Sequence, residues 1–409
     1  MLMLIKLAWR NIWRNWRRSV LTILAIMFAT LLALVTRSMQ MGTYDANIKT
    51  ALEILTGYVQ IQKEGYQDNP SINKSFRIND NISTLLSGDS TVKGHARRIY
   101  GNGLISYKKN TFGTILFGIS PKEELMTSTI AKRVKKGHFL NESEQDGLIV
   151  GEKLLTNLSA NIGDTIVVLT SGADGTMGNK KFRIIGTFSL GSPELDGMSC
   201  FINIEAADEL LTMNGKVNVI ALKLNEIKTI PEFIENFNKI NKDTLIVALG
   251  WEQVLPELKQ SIELDDASNR IFLFLLIIVV AFGILNTMLM SITERYREFG
   301  IMLALGTNNT RLLVIVLFEV VFLITIGIVL GNLSAHAVNY YYYHNPILLS
   351  GSFAEIYEQY GFIPALYFSI DLGFYLDISL KIMLISLATF VFPAIKIFRL
   401  RPLKGIRYT

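Results

Sequence analysis

The segment NTMLMSITERYREFGIMLALG, residues 286–306, decides how this chain is read. It starts inside an uncharged apolar run, 271–293, that is long enough to cross a bilayer as a helix. It then turns abruptly to Glu294, Arg295, Arg297 and Glu298, and closes on Gly306 with Thr307, Asn308 and Asn309 behind it. A second apolar run begins at Leu312. A short charged helix is therefore expected between two spanning helices, with Gly306 as its stop. Glu294 with Arg297, and Arg295 with Glu298, stand three residues apart and pair on a helix surface. Phe299, Met302 and Leu303 give the segment an apolar face, which at a membrane surface is covered by lipid headgroups or by a partner protein.

Composition agrees with a membrane protein. Half of the 409 residues are hydrophobic and the mean hydropathy is positive, with enough chain left for one sizeable soluble domain. A single cysteine, Cys200, excludes an internal disulfide framework and a cysteine zinc cluster. It lies far from the N-terminus, so the chain is not expected to be a lipoprotein itself. The first apolar run lacks a small-residue cleavage site and reads as a retained anchor.

Residues 1–18 carry Lys6, Arg10, Arg14, Arg17 and Arg18 and no acid, with Trp9, Trp13 and Trp16 at helical spacing. This describes an amphipathic helix on the cytoplasmic face of a membrane. Nucleic-acid binding is disfavoured by the apolar run that follows at once. That run, 19–36, is the first span, and its helical stripe continues through Met41, Tyr44, Ile48, Leu52 and Leu55. A second stripe, Leu255, Leu258 and Ile262, precedes the next span. The two extensions either pack together as a stalk or pack on their own domain.

Between them, 56–250 reads as an α+β domain. Strands are expected at 58–62, 114–119, 165–169, 183–188, 217–224 and 245–249, and helices at 151–158, 205–213 and 231–240. The loop 170–181, TSGADGTMGNKK, is rich in glycine but lacks the phosphate-loop spacing. A third span is expected at 312–332. It holds Glu319, a carboxylate that would cost about 2.5–3.5 kcal/mol at the bilayer centre. Two turns beyond Arg311, it is placed to meet an arginine near the cytoplasmic face, in a structural or coupling role rather than as a proton relay. Residues 333–374 read as an outer loop with no lysine or arginine, three acids (Glu355, Glu358, Asp371) and a tyrosine cluster, Tyr340–Tyr343. His336 and His344 lie nearby without a matched acid and make a weak metal signal. A fourth span, 375–396, carries Asp377 and Lys381 at helical pairing distance, and a basic tail, 397–409, closes the chain. The basic N-terminus, the 294–311 segment and the tail place both termini in the cytoplasm, with the large domain outside.

The 286–306 segment resembles the coupling segment of the four-helix permeases of the MacB, LolC/LolE and FtsX type. Asn286, Thr287, Met288, Glu294, Arg295, Glu298, Gly300, Ile301, Ala304, Leu305 and Gly306 fall on that pattern. Ala8, Arg10, Asn11, Arg14 and Arg18 are similar to the family's opening, and Pro393, Ala394, Arg399 and Pro402 to its closing pattern. Gly151, Glu152, Leu154, Gly163 and Asp164 resemble a helix–turn–strand of its periplasmic domain; LFGISP at 116–121 and IIGTF at 184–188 also fit.

The resemblance implies an α-helical membrane protein with four transmembrane helices and an α+β periplasmic domain between helices 1 and 2. The parts are 1–18 (cytoplasmic amphipathic helix), 19–55 (first helix and extension), 56–250 (periplasmic domain), 251–293 (extension and second helix), 294–311 (coupling helix), 312–332, 333–374, 375–396 and 397–409. It implies docking of Glu294, Arg295, Arg297, Glu298, Phe299, Gly300, Ile301, Ala304, Leu305 and Gly306 on a separate ABC ATPase dimer. It implies an intramembrane coupling role for Glu319. In LolC-like members the 170–181 position holds a hook that receives a lipoprotein carrier, which would point to Asp174, Met177, Gly178 and Lys180; the loop here is shorter and lacks the hook's proline and arginine pattern, so a plain solvated hairpin is the preferred reading. No Walker sequence, serine elbow or zinc signature is present, so the chain is not expected to be an enzyme or to hold a cofactor; ATP and Mg belong to the partner.

The expected partners are that ATPase, a second permease copy or paralogue, a lipoprotein substrate with its periplasmic carrier, and membrane lipids, in a bacterial inner membrane. The alternatives are a MacB-like efflux or peptide-export unit with a membrane-fusion adaptor, and an FtsX-like signalling scaffold. Charge reversal at Glu294 or Glu298 is expected to uncouple ATP hydrolysis from function without unfolding the chain. Unchanged activity in both variants would refute the coupling assignment.

Overall fold

The computed structural model describes residues 1–14, 16–359 and 363–399. The basic tail from 400 onward, with Pro402, lies outside the described residues. In chain order the helices are α1 (Leu2–Arg14), α2 (Trp16–Ala51), α3 (Asp80–Gly88), α4 (Pro121–Thr127), α5 (Glu152–Leu158), α6 (Pro193–Met198), α7 (Ile204–Leu210), α8 (Ile230–Ile240), α9 (Trp251–Val254), α10 (Pro256–Glu294), α11 (Tyr296–Ala304), α12 (Asn309–His344), α13 (Ser352–Gln359), α14 (Leu372–Ala388) and α15 (Val391–Phe398). The strands are β1 (Val59–Lys63), β2 (Val92–Tyr107), β3 (Asn110–Ile119), β4 (Val134–Gly137), β5 (Gly147–Gly151), β6 (Thr165–Ser171), β7 (Met177–Phe188), β8 (Ser199–Asn203), β9 (Val219–Leu224) and β10 (Ile246–Gly250), with a short antiparallel pair, β11 (Ile347–Leu348) and β12 (Ala365–Leu366), apart from them. The described residues divide into two compact units: those of 1–44, 262–348 and 365–399, and those of 45–261 and 349–364.

The first unit is helical. Among the described residues four helical segments are long and apolar enough to cross a membrane: Trp16–Thr56, Pro256–Glu294, Asn309–His344 and Leu372–Phe398. Their starts and stops follow from local chemistry. Asn308 accepts from the Thr310 amide at the start of α12, and Asp371 from the Gly373 amide at the start of α14. α11 stops where Gly306 takes φ +93°, as the sequence predicts. Helix α12 runs twelve residues beyond 332, so the tyrosine cluster sits on its last turns rather than in a loop.

One packing device was not read from the sequence. Gly327 and Gly331, four apart on α12, lie against α2. A Cβ on Gly327 would stand 2.7 Å from the Ile26 Cβ; one on Gly331 would stand 2.6 Å from the Thr30 Cβ and 2.9 Å from the Met27 carbonyl oxygen. Small residues at this spacing let two backbones approach where no hydrophobic force separates helix from lipid.

The second unit is built on a sheet of ten strands in the order β10-β1-β9-β2-β3-β8-β5-β7-β4, with β6 bridging β2 and β7. Pairing is antiparallel except for β3 with β8 and β5 with β7. Period-two alternation sends side chains to two cores. Leu148, Val150, Cys200 and Ile202 face one; Ile149, Phe201, Phe117 and Phe188 face the other. Burial pushes the Cys200 thiol up to about 12, so it is an inert packing residue.

Several sequence expectations shift here. Strands β2, β4, β5 and β8 were not anticipated: β5 and β8 are buried on both faces and show no alternation, and glycines and charges interrupt β2. Four residues of the helical stripes pack on the sheet domain. Ile48, Leu52 and Leu255 join one core of the sheet domain and Leu55 the other. Where α2 and α10 meet within the helical unit, polar side chains join them. Asn269 donates to Gln40 at 2.6 Å, Arg37 pairs with Asp266, and Tyr44 donates to Asp265.

Gly331→Val is expected to force α2 and α12 apart and lower stability by about 1–3 kcal/mol, as over-packing does. Gly283→Ala, on α10 with nothing within 4 Å of the added methyl, is expected to leave it unchanged or slightly raised. Thermal unfolding of the detergent-solubilised chain separates the two; equal midpoints would refute the close-contact reading.

Candidate functional site

The charged segment 294–306 is where the helical unit concentrates its polar chemistry. Helix α10 ends at Glu294, and Arg295 is the non-helical residue before α11 begins. That break turns the Arg295 side chain inward. It is buried, and its Nη1 donates to both oxygens of Glu319 on α12, at 2.9 and 3.0 Å. Asn11 of α1 donates to the same carboxylate at 2.6 Å. The Arg295 guanidinium also stands 5.1 Å from the centre of the Phe299 ring. Glu319 therefore meets an arginine, but not Arg311. Eight residues along one helix is about 12 Å, too far for that pair to close.

The two acids of the segment are also held. Arg14 donates to both oxygens of Glu298, at 3.0 and 2.7 Å, and Arg295 reaches the same carboxylate at 3.3 Å. Arg18 forks onto Glu294. The expected Arg295–Glu298 pair is present, whereas Glu294 pairs with Arg18 instead of Arg297. Glu294 ends one helix and Arg297 belongs to the next, so the three-residue spacing no longer places them side by side. Partial burial raises the Glu298 pKa, but Arg14 and Arg295 outweigh it and hold the carboxyl below the ordinary range. With the folded value depressed, this grip is complete at neutral pH and is lost only as pH falls through that lowered value.

The segment thus sorts into three groups. Phe299 and Gly300 are buried, and Met302 and Leu303 pack on the same core, so the predicted apolar face is already covered within the unit. Glu294, Arg295 and Glu298 are engaged with Arg18, Glu319 and Arg14. Arg297, Ile301, Ala304, Leu305 and Gly306 are exposed, Leu305 at 82%. A cavity of about 60 Å³ lies beside the network, lined by Asn11, Arg18, Arg295 and Glu319 and by apolar Ile26 and Ile284.

The second candidate site changes shape. β6 and β7 pair from Thr165 with Arg183 up to Ser171 with Met177, so the expected twelve-residue loop shrinks to the turn 172–176. Asp174 organises that turn by accepting from the Thr176 amide and hydroxyl, at 3.0 and 2.6 Å. Met177, Gly178 and Lys180 are strand residues; Lys180 pairs with Glu209 at 2.6 Å. Alternating polar residues hid the strand, because both threonine and lysine fit an exposed pleat.

A multi-pass protein with a large domain between its first two spans and a short charged helix between the second and third has the layout of a membrane permease. The family described as MacB-like periplasmic core domain matches residues 19–240, and that described as FtsX-like permease C-terminal matches 270–402. The chain belongs to this family of membrane ABC transporter permeases. Its relatives include the lipoprotein-releasing system transmembrane protein LolC of Xylella fastidiosa, 23% identical over 334 residues, covering 79% of this chain and 80% of the relative. An uncharacterized ABC transporter permease of Methanocaldococcus jannaschii is 25% identical over 352 residues, 82% and 84% of the two chains. The macrolide export ATP-binding/permease protein MacB of Aggregatibacter actinomycetemcomitans is 23% identical over 340 residues, 77% of this chain and 50% of that one. The periplasmic region of MacB from Actinobacillus actinomycetemcomitans aligns with 53% of this chain and 96% of that one, at 17% identity and a TM-score of 0.38.

Glu294→Arg is expected to break the clasp by facing Arg18 with a like charge, and the added change Arg18→Glu to restore it. Both pairs are exposed, so little change in unfolding temperature is expected. The readout is ATP-dependent activity of the assembled transporter: lost in the single variant, recovered in the swap. Equal activity in both would show that the pair does not position the segment.

Proposed function

We propose that this chain is a permease subunit that couples ATP hydrolysis by a separate ATPase to movements of its outer domain, with lipoprotein release from a bacterial inner membrane as its task. The observation that carries the coupling reading is the outward face of 294–306. Arg297, Ile301, Ala304, Leu305 and Gly306 form a small apolar and basic surface on a segment whose other face is anchored by Arg14, Arg18 and Glu319. A surface held rigidly from behind transmits a push rather than absorbing it. Glu294 and Glu298 act here as anchors of the segment, with Arg297, Ile301 and Leu305 as the docking contacts. ATP and Mg are bound by the partner, and the membrane unit is two copies of this chain or this chain with a paralogue.

The basic N-terminus and the 294–311 segment support a cytoplasmic placement of both termini, with the domain of 56–250 in the periplasm. Lipoprotein release is supported by the relatives named for that system. Its physics constrains the route. Each methylene is worth about 0.8 kcal/mol when buried, so exposing three acyl chains to water would cost on the order of tens of kcal/mol. The chains move along apolar faces such as Leu31, Phe274 and Ile278; Phe274 is more than half exposed within this chain. The carrier meets the 172–176 turn and Met177. Export of the MacB kind, with a membrane-fusion adaptor, is a second reading, supported by the MacB relatives.

The deciding experiment is gentle purification of the chain from its native membranes, with mass spectrometry of what accompanies it. An ATPase with N-terminally acylated cysteine peptides supports lipoprotein release; an ATPase with an adaptor and no acylated cargo supports export; no ATPase refutes both. Leu305→Asp is expected to lose the ATPase from the same preparation while the unfolding temperature stays unchanged.

A further inference from the structure

A buried ion pair outside the site described so far holds the end of the first long helix. Arg98 on β2 and Glu124 on α4 are both wholly buried. Arg98 Nε donates to Glu124 Oε1 at 2.6 Å, and Nη2 donates to Oε2 at 3.0 Å. Removing two charges from water is expensive, and well-packed apolar residues of similar volume are often as stable or more so. Stability alone therefore gives no reason for this pair.

The remaining nitrogen supplies one. Arg98 Nη1 donates to the backbone carbonyl of Leu55. Leu55 belongs to the turn Leu52–Thr56, a wide helical turn that continues α2 and closes with the Gly57 amide on the Leu52 carbonyl at 2.8 Å. The last carbonyls of a helix have no partner within it. Here they are taken by the sheet domain. The Glu53 carbonyl accepts from the Thr129 amide at 2.7 Å and hydroxyl at 3.1 Å, Leu55 from Arg98, and Thr56 from Gln60 Nε2 at 2.7 Å. Ser128, next to Thr129, donates to Glu124 Oε2 at 2.5 Å. One guanidinium thus ties together strand β2, helix α4 and the terminal turn of the helix.

We infer that Arg98 and Glu124 are the joint through which displacement of the first long helix is delivered to the sheet. Apolar contacts at Leu52 and Leu55 allow sliding; directed hydrogen bonds to main-chain carbonyls resist it along the helix axis. Wide helical turns are frequent at functional sites, and Gly57, at φ +80°, ends this one. Arg98 and Glu124 are positioning residues, and the inference rests on the coupling role proposed above.

The test is hydrogen–deuterium exchange on the full chain, purified with its ATPase into lipid nanodiscs, with and without ATP and Mg. In the double variant Arg98→Met/Glu124→Leu the sheet is expected to stay folded. The Gly57 and Thr129 amides should exchange at least tenfold faster than in the unaltered protein. Addition of ATP should alter exchange in 296–304 and in β2 and α4 of the unaltered protein, but only in 296–304 of the variant. Arg98→Lys keeps the charge opposite Glu124 but has no fork to span both the carboxylate and Leu55, and should behave like the double variant. Unchanged exchange at Gly57 and Thr129, or an equal ATP response in β2 and α4 of either folded variant, overturns the joint. An unaltered protein that shows no ATP response anywhere overturns the coupling reading instead, and the transmission role with it.

Discussion

A carboxylate on an otherwise apolar helix imposes the constraint around which the helical unit is arranged. Glu319 has Val, Leu and Phe as neighbours along α12, and an unpaired charge there would be expensive. Arg295 and Asn11 meet it from two other segments. For Arg295 to turn inward, α10 has to end just before it and α11 has to start just after. The break between the second span and the charged segment, the inward face of Phe299 and the seating of α1 all follow from satisfying one buried acid. Arg14 and Arg18 then fasten Glu298 and Glu294 from the same side, which leaves Arg297, Ile301 and Leu305 as the free surface.

The sheet domain solves a similar problem with other parts. Its strands bury two apolar faces, and within that interior sits one ion pair, Arg98 with Glu124, whose spare donor goes to the end of a helix. In both units a buried arginine serves several groups: Glu319, Glu298 and the Phe299 ring in one, Glu124 and the Leu55 carbonyl in the other. The planar fork of arginine suits this duty, since its separate nitrogens can serve different acceptors at once.

Much of the layout is legible in the sequence. The four apolar runs, the stop at Gly306, the Arg295–Glu298 pair and the family resemblance came from hydropathy, turn chemistry and a dense local pattern. Local pairs on a single helix were read well when the helix was unbroken. Glu294 with Arg297 was misread because the break at Arg295 separates them. The hairpin at 170–181 is legible, but its strands run further than the sequence suggests, because a glycine-rich polar stretch gives no apolar alternation although seven residues pair on each side. Gly327 and Gly331 stand at a helix-packing spacing, but the spacing alone does not name α2 as the partner.

The sequence by itself determined the number and order of spans, the place of the large domain between the first two, and the identity of the charged segment. These depend on residues near one another in the chain, where length, polarity and capping act locally. Only the tertiary structure decided who holds whom: Arg18 with Glu294, Arg14 with Glu298, Arg295 and Asn11 with Glu319, and Arg98 with Glu124 and Leu55. Each of those contacts joins segments far apart in sequence, and a charged side chain carries no local mark of its distant partner. The choice is made by burial, because a charge taken out of water is tolerated only where packing has already brought its counterpart within reach.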